Sequence, residues 1–436
     1  MTESRFRVIG KLRNLSQTFA HRAGWALLDQ ALYGVSNFLA NTLMARWLEP
    51  SEYGAFALGW MLLLMGFQLQ NPLITEPLAV YTPNRFRFAP HVYQQLVVQM
   101  HWILTGVISL FFVILALFQA DAAFRGVYFG LALALPFVQY AMLARRICYA
   151  NLMPKLSALG GAIYLPLFVC SAFLLHQLSL LNAFTAMVLM GLASLVSGYW
   201  VMALWKKDFK QGTAPHPVKH FRFWFALFRT VVLAQWRYGR WGLPASLLWV
   251  VVSSLPYVLL LHLHGLEAVA GLRVLENTLA PVNSFLSAFN SLMLPAFARA
   301  GSYAALEGMV RRYLFLFGAV GGLAWLLMSW LHEPLFYFLY GGSYQDISQY
   351  LLWFGWMPLL TWLAEVFFGA FRAREQTRWI AWLYLIAAVF TGVVGVLLIR
   401  SAGLQGTVFV ILSTQALLLT MALAVWLRFG RLLKSK

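Results

Sequence analysis

Charge is scarce in this chain. Asp, Glu, Lys and Arg make up 11% of its 436 residues, where ordinary soluble domains hold about 25%. Hydrophobic residues make up 61%, and mean hydropathy is +0.72. The summed length of the apolar runs excludes a soluble core of buried helices and defines a polytopic membrane protein. Cysteine is rarer still: Cys148 and Cys170 are the only two, too few for a disulfide framework or a metal cluster. Both are expected to be ordinary buried thiols. No Gly-rich phosphate cradle followed by Lys-Ser/Thr is present, so the chain has no ATPase of its own and energy must come from elsewhere. Long outer loops are also missing. The longest, 332–347, leaves no room for a catalytic domain, which argues against a membrane polymerase or glycosyltransferase. Enzymatic activity is not expected.

What the chain has is long apolar segments. A helix needs about 20 apolar residues to cross the hydrocarbon core. Twelve such spans are predicted near 24–46, 53–75, 96–118, 124–144, 156–176, 181–205, 241–263, 270–298, 311–332, 347–371, 378–400 and 404–427. The span at 270–298 is interrupted by Arg273, Glu276, Asn277, Asn283 and Asn290. The architecture expected is all-α, with about twelve transmembrane helices in two six-helix lobes around a central cavity.

The net charge of +18 would suit a nucleic-acid binder, but the cations sort by loop. Alternate connections hold 28 of the 32 Lys and Arg residues, and the opposite ones hold Arg46, Arg125 and Arg400. This asymmetry places both termini in the cytoplasm and makes nucleic acid an unexpected partner. The basic N-terminus precedes a run too long for a signal-peptide core, so it is expected to be retained. Residues 206–240 divide the spans six and six, giving lobes at 1–205 and 241–436 joined by a basic linker broken at Gly212, Pro215 and Pro217. From Lys219 to Arg240 cations mix with Phe and Trp, a composition suited either to a helix in the inner-leaflet interface or to a half-buried linker. The two halves show faint correspondences, among them Asn71 and Pro72 in the first against Asn290 and Pro295 in the second. With six spans each, any repeat would be parallel. Small-residue pairs at Gly126/Gly130, Ser194/Gly198 and Gly318/Gly322 are read as sites of internal helix packing.

Ionisable groups within the spans are the candidate functional residues, because such groups are costly in a bilayer and usually mark a pathway or a buried pair. They are Asp29, Arg273, Glu276 and Glu365. Arg273 and Glu276 share a helix face and can pair. Asp29, with Gln30 and Asn37, gives span one a polar stripe, and Glu365 stands alone in span ten. A cavity between the lobes, lined in this reading by spans one, seven and eight with span two as a further candidate, would keep these charges wet; a structural ion-pair network is the competing explanation. A desolvated carboxylate suits proton or cation coupling, and an arginine suits a phosphate through its forked donors. His262 and His264 lack metal-ligand neighbours, so no metal is expected, and His101 is expected at the interface.

From Asp29 the chain reads DQALYGVSNFLANTLMARWLEPSEYGAFAL, followed by LQNPLITEPLAV at 69–80. This stretch resembles the polysaccharide-biosynthesis flippases of the multidrug/oligosaccharidyl-lipid/polysaccharide (MOP) exporter superfamily. The match falls on Ser36, Asn37, Ala45, Arg46, Leu48, Pro50, Glu52, Tyr53 and Gly54. The resemblance implies a Wzx-like carrier that moves a polyprenyl-diphosphate-linked oligosaccharide across a bacterial cytoplasmic membrane by alternating access. Its expected partners are membrane lipids and the polymerase and glycosyltransferases of the same pathway. On this reading Arg273 contacts the diphosphate with Glu276 setting its rotamer, and Asn37 adds a polar contact. Asp29 and Glu365 serve ion coupling, by proton or sodium, or sugar binding, and Arg46 with Glu52, Tyr53 and Gly54 forms a gate or fold motif. No other cofactor is implied. An ion-coupled multidrug antiporter of the same superfamily is the first alternative; a non-transporting scaffold is another.

Overall fold

Proline and glycine set where the helices start and bend. The computed structural model describes residues 2–120, 122–209, 221–340 and 345–434; side chains are described between His21 and Arg428, apart from a few positions that include Ala45, Pro50 and Gly54. The helices are α1 (Thr2–Trp47), α2 (Pro50–Gln70), α3 (Glu76–Tyr81), α4 (Pro90–Phe118), α5 (Ala122–Ala150), α6 (Pro154–Gln177), α7 (Ala183–Phe209), α8 (Phe221–Ala298), α9 (Tyr303–Tyr340), α10 (Leu351–Phe354), α11 (Trp356–Ala373) and α12 (Thr377–Lys434). Proline opens α2, α4 and α6, where its missing N–H is no loss. A π-helical turn, Asn71–Thr75, joins α2 to α3. Pro72 lies inside it, and the widened turn makes room for a ring that clashes with the preceding carbonyls of a regular helix. The second half has no matching bulge at Pro295, which sits near the end of α8.

Glycine makes the sharpest bends. Gly265 (φ 80°) divides α8 and Gly403 (φ 54°) divides α12, each in a conformation that L side chains rarely adopt. Each long helix is thereby folded into two membrane-length segments, matching spans seven and eight, and eleven and twelve. Among the described residues, nine helical stretches are apolar and long enough to cross a membrane by composition alone. One of them, Thr377–Arg428, contains the Gly403 bend. Spans one and eight are helical as well, but their polar residues keep them below that mark. Among the described residues the fold is therefore all-α, with twelve membrane-length segments.

The chain divides into two compact units, Met1–Arg237 and Tyr238–Lys436. In the first, α5 is the central helix, packed against α2, α4, α6 and α7. In the second, α11 packs on α9 and α12. Of the linker expected at 206–240, residues 206–209 end α7 and 221–240 begin α8, while 210–220, with Gly212, Pro215 and Pro217, lie outside the described residues. The start of α8 is half-packed. Gln235 Nε2 donates to the Tyr93 hydroxyl (3.0 Å) and the Tyr81 hydroxyl to the Ala234 carbonyl (3.3 Å), while Phe225 and Trp236 are exposed.

Close packing of α5 on α7 depends on glycine. A Cβ on Gly191 would stand 2.7 Å from Ala134 Cα, and one on Gly198 3.0 Å from Ala141 Cα. Gly130 meets Met187 and Phe184 in the same way. The expectation of packing at Gly318/Gly322 is corrected: a Cβ at either would meet nothing within 4 Å, and their neighbour Gly321 is the one pressed on Leu359. Cys170 is also corrected. It is exposed, while Cys148 is buried. Gly191→Ala should force α5 and α7 apart and lower stability in detergent by roughly 1–3 kcal/mol, whereas Gly318→Ala should leave the unfolding midpoint unchanged or slightly raised. Thermal unfolding of the two variants side by side checks this.

Candidate functional site

The first unit contains a cleft between α1, α2, α5, α6 and α7. Its charged lining residues are Asp29 and Arg145, and they cancel one another. Asp29 is 1% exposed and its Oδ2 lies 2.7 Å from Arg145 Nη2. The Tyr149 hydroxyl donates to the same oxygen at 2.7 Å, and the Ser157 hydroxyl to Oδ1 at 3.0 Å. Arg145 also lies 4.6 Å from the centre of the Tyr33 ring. A buried ion pair offsets its desolvation only when further hydrogen bonds satisfy the remaining lone pairs, and this one meets that condition.

Around the pair the cleft is mostly apolar and aromatic, with a few small polar groups. Tyr33, Trp60, Phe67 and Tyr164 offer apolar faces; Ser36, Asn37, Ser194 and Ser197 add small polar groups. The Ser36 hydroxyl donates to the Leu32 carbonyl and that of Ser197 to the Gly160 carbonyl, each at 2.7 Å. Their hydrogens are thus committed and their oxygens act as acceptors.

Arg145 is the residue that sequence reasoning misses. Counting cations by loop places it in a basic connection, whereas it lies in the last turns of α5 with a side chain only 14% exposed. The same count misplaces Arg372. It lies within α11 and pairs with Glu365, so Glu365 is not alone. The spacing of seven residues, two helical turns on one face, is the available signal. Arg273 and Glu276 do pair, at 3.3 Å, with Arg273 66% exposed, and they belong to the second unit. His101 is 0% exposed, packed inside the first unit.

The matched motif is built into the fold. Glu52, in the first turn of α2, accepts the Ala183 backbone N–H at 2.7 Å and so caps the start of α7. Tyr53 N–H bonds the Glu49 carbonyl at 2.8 Å, and its ring stacks on Phe56. Arg46 is exposed at the end of α1. The side chains of Ala45 and Pro50, and the position of Gly54 beyond its place in helix α2, lie outside the described residues.

No family model and no curated protein matches the chain. Solved structures do match in fold. A multidrug resistance MATE family transporter of the MOP superfamily, in an outward-facing conformation, aligns with a TM-score of 0.76 at 13% identity over 96% of each chain. The Vibrio cholerae MATE transporter VcmN, in its bent form, gives 0.75 at 13% identity, over 97% of this chain and 98% of that one. A MOP superfamily transporter from Pyrococcus furiosus gives 0.74 at 13% identity over 95% of each. The chain therefore has the fold of MOP superfamily transporters.

Neutralising one member of the buried pair should cost more than removing both. Asp29→Asn should destabilise the protein by about 3–5 kcal/mol by leaving Arg145 buried without its counter-charge, and Asp29→Asn with Arg145→Gln should recover part of that loss. Denaturation of the single and double variants measures it. Glu52→Ala should cost about 0.5–2 kcal/mol through the lost cap.

Proposed function

We propose that this chain is a membrane transporter that exports by alternating access, and that its cargo carries a hydroxyl-rich, uncharged head on a lipid, as in a polyprenyl-diphosphate-linked oligosaccharide. The single observation that carries the reading is the cancelled charge of the cleft. A site for organic cations gains from an uncompensated carboxylate, and here Asp29 is held by Arg145, Tyr149 and Ser157. What the cleft offers instead is aromatic faces with hydroxyl oxygens ready to accept. A sugar head supplies matching donors. Each of its polar groups would lose about 2–7 kcal/mol in bare hydrocarbon, so a polar path is what makes crossing feasible. In this proposal the exposed guanidinium of Arg273 takes the diphosphate and Glu276 orients it. The membrane is the bacterial cytoplasmic membrane, with glycosyltransferases supplying the cargo and a polymerase consuming it.

A second reading is ion-coupled efflux of soluble organic compounds. Likeness alone puts it first, because the similar structures include transporters described as multidrug resistance proteins. The Pyrococcus furiosus protein is described as having a binding pocket of reverse polarity that suggests a different function, so pockets of opposite polarity occur on this fold. That observation keeps both cargoes within its reach.

Purified protein in liposomes, loaded with a fluorescent polyprenyl-diphosphate oligosaccharide, distinguishes the readings by quencher accessibility of the label in each leaflet. The proposal expects leaflet transfer that falls at least about tenfold in Arg273→Ala, as loss of a charge-assisted contact would produce. No transfer, together with gradient-driven efflux of an organic cation, would establish the second reading instead.

A further inference from the structure

The interior of the first unit holds a second polar cluster, apart from the cleft lining, where α2, α4 and α5 meet. Gln70, His101 and Gln139 are each 0% exposed. His101 Nε2 lies 3.1 Å from the Pro136 carbonyl oxygen. A carbonyl only accepts, so this nitrogen carries a hydrogen. On the other edge of the ring, Gln70 Nε2 lies 3.2 Å from His101 Nδ1 and 3.1 Å from the Gln139 carbonyl oxygen. The amide nitrogen has two hydrogens, and these two acceptors take both. The network closes only for a neutral imidazole with Nδ1 as acceptor.

Two features make this arrangement one of two rather than a fixed core contact. Gln70 Oε1 and both side-chain amide atoms of Gln139 are buried without a partner among the described residues. Acceptors for an additional hydrogen are therefore already in the cluster, in a setting where unpaired polar atoms are costly. Second, Gln70 is the last residue of α2, and Asn71 opens the π-helical turn. One turn earlier, Gly66 allows the approach of α5: a Cβ there would stand 2.6 Å from Gln139 Nε2. Tyr140 on α5 is the titratable group facing the imidazole, with ring centroids 6.0 Å apart. From α2 it meets an amide, and from α4 its neighbour Trp102. Among the described residues no Asp, Glu, Lys or Arg is bonded to the three.

We propose that His101 is a proton-responsive fastener of the Asn71–Thr75 turn. A second proton on Nδ1 converts that nitrogen from acceptor to donor, and the Gln70 amide turns over to present Oε1 to it. The same rotation withdraws Gln70 Nε2 from the Gln139 carbonyl, so the bond holding the end of α2 to α5 is released. No other group changes protonation. The device depends on no assignment of cargo, and it places proton sensing in the first unit at a group without a counter-charge, whereas Asp29 is tied in its ion pair.

The test uses the full chain in lipid nanodiscs. Histidine ¹⁵N resonances, with His101 assigned by its loss in His101→Gln, report the imidazole state from about pH 8 to about pH 3, which reaches below the ordinary histidine range to include a buried imidazole. Hydrogen exchange over 66–81, corrected for intrinsic rates, reports the turn. The wild type should show the Nε2–H tautomer at the upper end, and exchange over 66–81 should rise about fivefold in step with its titration, the effect of losing one buried hydrogen bond. His101→Gln, which can donate to Pro136 and accept from Gln70, should stay flat. Failure of His101 to titrate, or an exchange rise that does not follow its titration in the wild type or is retained in the variant, would overturn the proposal. The wild-type measurements decide the matter even if the variant fails to fold.

Discussion

Much of the first unit is organised around one buried interaction, the pairing of Asp29 with Arg145. A lone carboxylate or guanidinium at membrane depth is expensive, and this pair is tolerated because two hydroxyls complete the carboxylate and an aromatic ring covers the guanidinium. The consequence extends beyond α1 and α5. Ser157 brings in α6, and Tyr33 and Tyr149 fix the ring positions around the pair. The cleft thus carries no net charge from its lining, which is mostly apolar with a few polar groups.

That neutrality shapes the functional argument. Fold likeness at 13% identity specifies the architecture and leaves function to the site. On the proposed function, the cancelled pair, the aromatic faces and the acceptor hydroxyls would receive a polar, uncharged head. A further titratable interior group of the unit, His101, lies in a separate cluster at the end of α2; under the two proposals, sensing and cargo contact fall to different residues.

Most of the fold is legible in the sequence because hydrocarbon thickness imposes a length, and apolar runs of that length recur through the chain. The bends at Gly265 and Gly403 fall between spans already separated by pattern. Asp29 is marked by its place in an apolar run, but its partner lies 116 residues away and sits where a span meets a basic loop. Loop arithmetic assigns Arg145 and Arg372 to solvent, since helix rotation and depth are absent from a one-dimensional tally. The seven-residue spacing of Glu365 and Arg372 is readable in the sequence, and loop arithmetic passes over it. The role of Glu52 as a cap for α7 is not readable, because it depends on a contact 131 residues distant. His101 looks interfacial because it stands near the start of a span; its burial follows from Gly66 and Pro136, which bring α2 and α5 together around it.

Equilibrium binding in detergent, followed by fluorescence of the tryptophans that include Trp60 in the cleft, tests the central claim most directly. Two ligands are compared: a short-chain lipid-linked oligosaccharide and a lipophilic organic cation. The account predicts saturable binding of the oligosaccharide, competed by its free sugar head, and weak binding of the cation. Tight, saturable binding of the cation with none of the oligosaccharide would contradict it.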